Sequence, residues 1–272
     1  MILCGLTYPT PPLTTMDLAH EPRPLTALQL NFPGGQRVFH LRADSHADQG
    51  VIQQVFVNKE YDLDRIPPHG AWLRQHYQRM VDAGLRPLIV DAGANIGAAT
   101  VWFALTFPEA VVLAVEPEAG NFGLLEKNTA GLAVQTVQAA LGDGPGWCDI
   151  IDTGTGEWGF RTEPAAASAP GRVPQIDMAE LLTLAPQATP FIAKIDIEGS
   201  EKAVFSADTR WVSHFPLVIV ELHDTMFPGQ GVARPFLKNM AELERDFICR
   251  TETVFSVLAD LNSAIDPNSS RK

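Results

Sequence analysis

The chain has few cysteines, few basic residues and no long apolar run. Its 272 residues contain only three cysteines, Cys4, Cys148 and Cys249, which lie far apart and show no CxxC spacing. We therefore expect neither a disulfide framework nor a structural zinc site, and the apolar run around Cys249 predicts a buried thiol. No run reaches the ~18 apolar residues that a membrane span requires. Because the N-terminus also lacks a basic leader and a full apolar signal-peptide core, we expect a cytoplasmic protein.

Acidic residues outnumber basic ones. The chain has 20 lysines and arginines against 32 aspartates and glutamates, and its formal net charge is -12. A general affinity for nucleic acid or for an anionic membrane needs a basic surface, so we expect neither partner. The hydrophobic content of 46% is ample for a sizeable core. Composition is compatible with a small-molecule partner and gives no information on the oligomeric state.

Residues 88–97 come closest to a dinucleotide-binding fingerprint, but they do not complete it. The apolar residues 88–90 end on Asp91, and a turn with Gly93 and Gly97 leads into a helical pattern. Dinucleotide sites need G-x-G-x-x-G, in which each glycine has a steric role, and one glycine is missing here. A carboxylate at position 91 would also repel a pyrophosphate, whereas it would attract an amine or a sulfonium. The turn therefore predicts binding of S-adenosylmethionine rather than NAD.

Strand and helix patterns alternate along most of the chain. This alternation predicts a mainly parallel sheet with helices on both faces, and two late adjacent runs predict an antiparallel edge. A proline-rich start predicts an irregular arm over residues 1–24, followed by a small β-rich segment. We expect an N-terminal extension over residues 1–60 and the main domain over residues 61–272. The predicted strands are 27–31, 37–41, 51–57, 87–91, 111–116, 134–139, 147–151, 158–162, 191–198, 217–222, 247–251 and 253–258, with turns at 33–35 and 152–156. The predicted helices are 72–83, 95–107, 119–129, 177–184, 200–206 and 234–245.

Two further carboxylates follow the next two predicted strands. Glu116 closes the strand 111–116, where its carboxylate can accept hydrogen bonds from two ribose hydroxyls. Asp143 follows the next strand and is placed to meet the edge of an adenine. NAD sites also use an acid at the first of these positions, so Glu116 alone does not separate the two cofactors. In the alternative interpretation Glu116 is solvated and Asp143 is an ordinary turn residue.

Polar residues also end the last two predicted parallel strands. Alternation places Lys194, Asp196 and Glu198 on one face, and it places Glu221 and His223 on one face of the next strand. Because burying unpaired charges is costly, we expect the carboxylates and the histidine to converge at the open carboxyl ends of the strands. These residue types also suit a divalent metal, although nothing in their spacing requires one, and we assign no metal ligand. The structural alternatives are a salt bridge to Lys194 and a histidine that only packs.

Ordered segments between residues 54 and 224 match a known family. They are Val55-Phe-Val-Asn-Lys-Glu-Tyr61-Asp62, Ile89-Val-Asp-Ala-Gly-Ala-Asn-Ile-Gly97, Val115-Glu-Pro-Glu118 with Asn121 and Phe122, Gln138-Ala-Ala-Leu-Gly-Asp143, Lys194-Ile-Asp-Ile-Glu-Gly-Ser-Glu201 and Glu221-Leu-His-Asp224. Through these segments the sequence resembles the FkbM family of S-adenosylmethionine-dependent methyltransferases. The resemblance implies a Rossmann-like class I methyltransferase fold, with a mainly parallel seven-stranded sheet and helices on both faces.

The resemblance also implies a cofactor site and a reaction. Family members commonly methylate hydroxyl groups, often in natural-product or sugar biosynthesis, so we expect O-methylation of a small molecule. The first 50 residues and the hairpin around Asp152 lie outside the match, and we expect them to select the acceptor. Taken together with the strand-end carboxylates, the predicted cofactor-binding residues are Glu60, Tyr61, Asp91, Gly93, Ala94, Asn95, Gly97, Glu116, Asn121, Asp143 and Asp196.

For the reaction we expect the acceptor oxygen to attack the sulfonium methyl in line, with positioning as the main catalytic contribution. His223 is the first choice for the general base, Asp196 or Glu198 is an orienter or an alternative base, and Glu221 completes the predicted catalytic set. Two other functions stay open. One is an NAD-dependent oxidoreductase, which Asp91 and the missing glycine disfavour. The other is a cofactor-binding module without catalysis, which the intact polar residues disfavour.

Overall fold

The computed structural model describes residues 24–32, 35–152 and 160–260. The predicted N-terminal arm up to residue 23, Cys4, most of the predicted turns at 33–35 and 152–156, and Trp158 lie outside the described residues. The helices are α1 (His46–Ile52), α2 (His69–Asp82), α3 (Ala98–Thr106), α4 (Ala119–Thr129), α5 (Met178–Leu182), α6 (Glu201–Ser206) and α7 (Arg234–Ala241). The strands are β1 (Leu25–Phe32), β2 (Gly35–Arg42), β3 (Arg86–Ala92), β4 (Val111–Val115), β5 (Val134–Val137), β6 (Ala140–Leu141), β7 (Gly146–Asp152), β8 (Phe160–Pro164), β9 (Val173–Ile176), β10 (Ala188–Ile195), β11 (Leu217–Glu221), β12 (Arg245–Arg250) and β13 (Thr253–Leu258).

The main sheet has seven strands in the order β12-β13-β11-β10-β3-β4-β5. The five strands from β11 to β5 pair in parallel, and β13 and β12 add the antiparallel edge. This arrangement confirms the predicted seven-stranded, mainly parallel sheet. The chain runs outward from β3 to β5 and then returns to the other side of β3 at β10, so the strand order reverses between β3 and β10. Open sheets of this kind bind ligands at that point, beyond the carboxyl ends of the strands.

Both faces of the central strands are buried, which explains their continuous apolar sequences. Residues 88–90 in β3 are at most 1% exposed. One face of the sheet packs in a cluster that includes Phe103 and Phe191, and the other packs in a cluster that includes Phe205 and Phe236. Burial of each such aromatic side chain stabilises the fold by about 1.5–3 kcal/mol. The two clusters fix the sheet between its two helical layers and hold the ends of its strands in place.

The N-terminal segment packs on the sheet domain. Strands β1 and β2 form an antiparallel hairpin, and Phe39 of β2 lies in the same core cluster as Phe103. The Arg42 guanidinium donates a hydrogen bond of 2.7 Å to the side chain of Asn121 on α4. The backbone N–H of His40 donates to the side chain of Asn128, at 2.7 Å, and so ties β2 to the same helix. The division at residues 60 and 61 stays a prediction.

The prediction of a strand over residues 51–57 is wrong. The structure continues α1 through Ile52 and then forms a short π-helix over Gln53–Val57. Val55 is buried in the core, and Val51, Ile52 and Phe56 pack against it from partly exposed positions. This spacing of one, four and five residues from Val51 is that of a helix face. The need to bury that face outweighed the strand preference of the valines.

Other element ends differ from the predictions. Strand β10 ends at Ile195, so Asp196 and Glu198 lie in the loop that follows rather than within the strand. The predicted strand 134–139 is divided between β5 of the main sheet and β6 of a second sheet. Helix α7 ends at Ala241, and Arg245 instead begins β12 and buries its guanidinium against carbonyl groups. Cys249 is exposed on edge strand β12, which corrects the prediction of a buried thiol.

The second sheet covers one side of the strand ends. Its four strands have the order β6-β9-β7-β8, and the antiparallel pairing of β7 with β8 confirms the predicted hairpin around Asp152. Asp177 caps α5, because its carboxylate accepts a hydrogen bond of 2.7 Å from the backbone N–H of Glu180. In the described part of the chain, no helix has both the length and the apolar character that a bilayer crossing needs.

Candidate active site

The turn after β3 is fixed by backbone contacts on both sides. The N–H groups of Gly93 and Ala94 each donate to the Val115 carbonyl of β4, at 3.0 Å. Gly93 has a φ of 75°, and a Cβ there would lie 1.7 Å from the backbone oxygen of Asp196. Only glycine fits this position, for both reasons. The turn therefore sits directly against the loop that leaves β10.

Glu116 lies beside this turn with both carboxylate oxygens aimed by backbone donors. Its Oε2 accepts a hydrogen bond of 2.8 Å from the N–H of Asn95, and its Oε1 accepts one of 2.9 Å from the N–H of Glu118. Burial raises the pKa of Glu116 to about 7, although the two backbone hydrogen bonds favour the ionised form. The side chain of Asn121 also hydrogen-bonds to Glu116, and both residues line the same pocket.

Asp91 does not face the pocket as the sequence suggested. Its side chain is fully buried, and its Oδ2 accepts a hydrogen bond of 2.6 Å from the Thr100 hydroxyl. Its Oδ1 lies 3.1 Å from Nζ of Lys194, and Asp91 and Lys194 are direct partners across β3 and β10. Burial alone would lower the pKa of Lys194, but the charges of Asp91 and Asp196 outweigh burial and hold it well above its usual range. Asp91 is therefore half of a buried ion pair behind the turn.

Four predicted catalytic residues converge at the ends of β10 and β11, and we call Asp196, Glu198, Glu221 and His223 the polar wall. From His223 Nε2, the nearest carboxylate oxygens lie at 3.6 Å in Glu198, 3.8 Å in Asp196 and 4.0 Å in Glu221. All four side chains line the same pocket. The salt-bridge alternative is also present in part, because Lys194 Nζ lies 3.4 Å from Asp196 Oδ2.

Glu201 holds the histidine of the polar wall from behind. Its Oε1 lies 2.8 Å from Nδ1 of His223 and also accepts a hydrogen bond from the N–H of Ile197, at 3.1 Å. Glu201 is fully buried, and His223 is 3% exposed. The contact orients the imidazole so that Nε2 points to the carboxylates of the polar wall. This role of Glu201 was not predicted, because the position of Glu201 at the start of α6 does not indicate a contact with His223.

The crowding of carboxylates perturbs the proton affinities in the polar wall. Burial alone would lower the pKa of His223, but the hydrogen bond to Glu201 and the neighbouring negative charges outweigh burial and raise it to about 9. Burial, assisted by the charge of Asp196, raises the pKa of Glu198 to about 7. The charge of Asp196, followed by burial, holds the pKa of Glu221 well above its usual range. In the ligand-free protein the imidazole is thus protonated at neutral pH.

One cavity of about 560 Å³ joins the glycine turn, Glu116 and the polar wall. Glu116 follows β4 and the polar wall follows β10 and β11, so the two groups stand on opposite sides of the β3 turn. Of the predicted cofactor-binding residues, those that line the cavity are Tyr61, Gly93, Ala94, Asn95, Glu116, Asn121 and Asp196. Their roles stay predictions, but the structure brings them together.

The other predicted cofactor-binding residues are outside the cavity lining. Asp91 is paired behind the turn, and Gly97, with a φ of 88°, precedes α3 and packs on Leu125 of α4. Glu60 is buried, with Oε2 4.0 Å from the Arg65 guanidinium. Asp143 is exposed and accepts a hydrogen bond of 3.2 Å from Gln175, which leaves its predicted contact with adenine without support from this geometry.

The cavity also contains residues that sequence reasoning missed. Gln54 and Val55 enter from the π-helix before Tyr61, and Phe160 and Thr162 enter from β8 of the second sheet. Met226 contributes from the loop after β11. Of these residues only Val55 lies in a segment that carried the family resemblance. The others come from parts of the chain whose position depends on tertiary packing.

Known proteins resemble the chain in sequence and in strand arrangement. The family profile described as the methyltransferase FkbM domain matches residues 91–249. The methyltransferase sdnD of Sordaria araneosa is 29% identical over 82 residues, which are 30% of this chain and 25% of that protein. The chain thus matches about a quarter of the length of this relative.

Two solved structures match the chain over most of its length. A cofactor-bound protein from MTB, Rv0187, is 12% identical with a TM-score of 0.42, over 81% of this chain and 99% of that one. The METTL16 methyltransferase domain is 10% identical with a TM-score of 0.41, over 85% of this chain and 87% of that one.

Proposed function

Because the chain belongs to the FkbM family of methyltransferases, we propose that it transfers the methyl group of S-adenosylmethionine to a hydroxyl oxygen of a small molecule. The observation that carries this proposal is the pairing of Glu116 with the polar wall across one glycine turn. Glu116 offers a carboxylate to the ribose hydroxyls, and the polar wall offers negative charge for the amine and the sulfonium.

In this proposal the cofactor lies across the carboxyl ends of β4, β3 and β10. The adenosine is held at Glu116, next to the backbone of Asn95 and the side chain of Asn121, which both line the cavity. The tight contact between Gly93 and the Asp196 backbone holds the glycine turn against the loop that carries Asp196. The positive sulfur then lies between the turn and the polar wall.

The transfer forms one bond and breaks one. The acceptor oxygen attacks the methyl carbon, a C–O bond forms, the S–C bond breaks, and S-adenosylhomocysteine leaves as a neutral thioether. The hydroxyl proton passes to the polar wall. His223 as the general base stays a prediction that requires the neutral imidazole, and the adjacent carboxylates are alternative proton acceptors. In-line positioning of the two reactants supplies the main part of the rate enhancement.

The remaining lining of the cavity favours a small, uncharged or cationic acceptor. Phe160 and Met226 supply apolar surface, and the hydroxyl of Thr162 supplies one hydrogen-bonding group. A volume of about 560 Å³ suits a small-molecule ligand. An anionic acceptor would be repelled by the carboxylates of the polar wall.

Calorimetry on the full chain tests the cofactor. We expect S-adenosylhomocysteine to bind with one site per chain and NAD not to bind. NAD binding, or no binding of S-adenosylhomocysteine, would overturn the proposal. Incubation with S-adenosylmethionine and a panel of hydroxylated small molecules, followed by mass spectrometry, then tests transfer. We expect a mass gain of one methyl on a hydroxyl, and a methyl found only on amines would refute O-methylation.

A further inference from the structure

Three side chains of the polar wall bring metal-ligand atoms together. Oxygens of Asp196 and Glu221 and a ring nitrogen of His223 lie within 4.8 Å of one another. The nitrogen is Nε2, at 3.8 Å from Asp196 and 4.0 Å from Glu221. These separations are too long for hydrogen bonds. Two ligands at about 2.1 Å from a shared ion are about 3.0 Å apart at a right angle and about 4.2 Å apart when opposite, so both separations from Nε2 fit one shared ion.

The histidine is held as metal-binding histidines are held. Its Nδ1 contacts the buried carboxylate of Glu201 at 2.8 Å. A metal ion binds the neutral imidazole and displaces the proton of Nε2. With Nδ1–H donating to that carboxylate, the lone pair of Nε2 then points away from Glu201 and into the polar wall. The side chain of His223 is buried, with the residue 3% exposed. Within the described residues, the carboxylate oxygens nearest to Nε2 lie at 3.6 Å or more, which is beyond hydrogen-bond distance.

The charge balance of the pocket also favours a bound cation. Lys194 is the only lysine or arginine lining the cavity among the described residues. Its ammonium is shared between Asp91, at 3.1 Å, and Asp196, at 3.4 Å, and it donates to the Gly93 carbonyl. Among the described residues, Glu221 has only the imidazole of His223, with Nε2 at 4.0 Å, within ion-pair distance. Buried carboxylates are normally paired with a cation or bound to a metal.

We infer that Asp196, Glu221 and His223 bind a divalent cation of the Mg²⁺ or Mn²⁺ class. Two carboxylates and one imidazole favour these ions over softer metals that prefer thiolates, and water completes the coordination. The role of the ion rests on the proposed function: it would bind the acceptor hydroxyl, favour loss of its proton and hold the oxygen toward the methyl group. An acceptor with two neighbouring oxygens would then bind best, because both can reach one ion.

Mn²⁺ binding tests this inference without any need for an acceptor. The full chain is treated with EDTA, dialysed and titrated with MnCl₂, and free Mn²⁺ is measured by its EPR signal. We expect one site per chain, competition by Mg²⁺, and binding at least tenfold weaker in Glu221→Gln and His223→Gln. The matched control is Glu126→Gln, since Glu126 is exposed on α4 and outside the cavity lining. It should bind Mn²⁺ as the unaltered protein does.

Glu201→Gln separates positioning from packing. Loss of a carboxylate behind a metal-binding histidine costs about 10- to 100-fold in metal affinity, whereas a purely structural role would lower only the melting temperature. Absence of Mn²⁺ binding in the unaltered protein, or equal binding in Glu221→Gln, would overturn the inference. Calorimetry with S-adenosylhomocysteine on the same samples keeps the two proposals apart. Cofactor binding without Mn²⁺ binding refutes the metal site alone, and the reverse refutes the proposed function.

Discussion

Replacing Glu116 with glutamine removes one buried charge and almost no volume. In the unaltered protein, each carboxylate oxygen accepts one backbone hydrogen bond, from Asn95 at 2.8 Å and from Glu118 at 2.9 Å. The side chain of Asn121 also hydrogen-bonds to this carboxylate, so of its about four acceptor positions one stays available for a ribose hydroxyl. An amide has only one oxygen, and its NH₂ group would face one of the two backbone N–H donors. The substitution therefore removes or weakens the proposed cofactor contact.

The expected loss of affinity follows from these contacts. A hydrogen bond to a charged group contributes about 1.5–3 kcal/mol, and each 1.4 kcal/mol is about tenfold in affinity. We expect Glu116→Gln to bind S-adenosylhomocysteine roughly 10- to 150-fold more weakly. The unpaired backbone N–H should also lower the free energy of unfolding by about 1–3 kcal/mol.

The assay is isothermal calorimetry with S-adenosylhomocysteine at pH 8, where the carboxylate, with a pKa of about 7, is mostly ionised. Thermal unfolding of each sample shows that the variant is folded. Glu126→Gln removes a carboxylate from the exposed surface of α4 and should leave the affinity unchanged. A folded Glu116→Gln variant with the affinity of the unaltered protein would refute the ribose role of Glu116.

Three further predictions concern pH, the turn and the core. Ribose hydroxyls favour the ionised carboxylate, so cofactor affinity should be full above the pKa of Glu116, which is about 7, and calorimetry should find it at least about tenfold weaker at pH 6 than at pH 8. Glu116→Gln should lose this part of the pH dependence and keep only the part from the polar wall, since Glu198 also has a pKa of about 7. Gly93→Ala should abolish cofactor binding and lower the melting temperature well below that of Gly84→Ala. Both glycines have a positive φ, but only a Cβ at Gly93 would meet a backbone oxygen, that of Asp196 at 1.7 Å. Equal melting temperatures of the two variants would contradict this. Phe191→Ala should cost about 3–5 kcal/mol in urea unfolding, because this fully buried ring packs between α2 and α3, and a loss under 1 kcal/mol would contradict the core assignment.

Local patterns were sufficient to predict the sheet. The apolar residues 88–90 in β3 predict a strand buried on both faces, and the structure places them there. Residues 51–57 show where such patterns fail. Val51, Val55 and Val57 suggest alternation, but Ile52 and Phe56 are also apolar, and the five together fit a helix better than a strand. A short segment of this kind takes the conformation that buries its larger residues.

The four residues of the polar wall converge as predicted, but part of the reason for that prediction is wrong. Alternation along a strand was expected to align Asp196 with Glu198, whereas β10 ends at Ile195. The residues still converge, because neighbouring parallel strands end at the same edge of the sheet and the loops that follow them are short. The position of a residue at a strand end thus predicts such convergence better than alternation along the strand does. The contact between Glu201 and His223 could not be predicted from local patterns, because it depends on how α6 packs beside β11.

The pairing of Asp91 with Lys194 across two strands also explains why the negative charge of the pocket was predicted for the wrong residue. Asp91 in the sequence predicts that the site prefers a sulfonium to a diphosphate. In the structure, however, Lys194 stands opposite Asp91 in the register of β3 and β10 and neutralises its charge. The preference survives on other residues. Glu116 and the carboxylates of the polar wall lie on either side of the turn, and the ammonium of Lys194 is already committed to Asp91, Asp196 and the Gly93 carbonyl. In the metal-free protein a diphosphate placed there would meet four carboxylates against the single imidazole of His223, whereas a sulfonium would be attracted by those carboxylates.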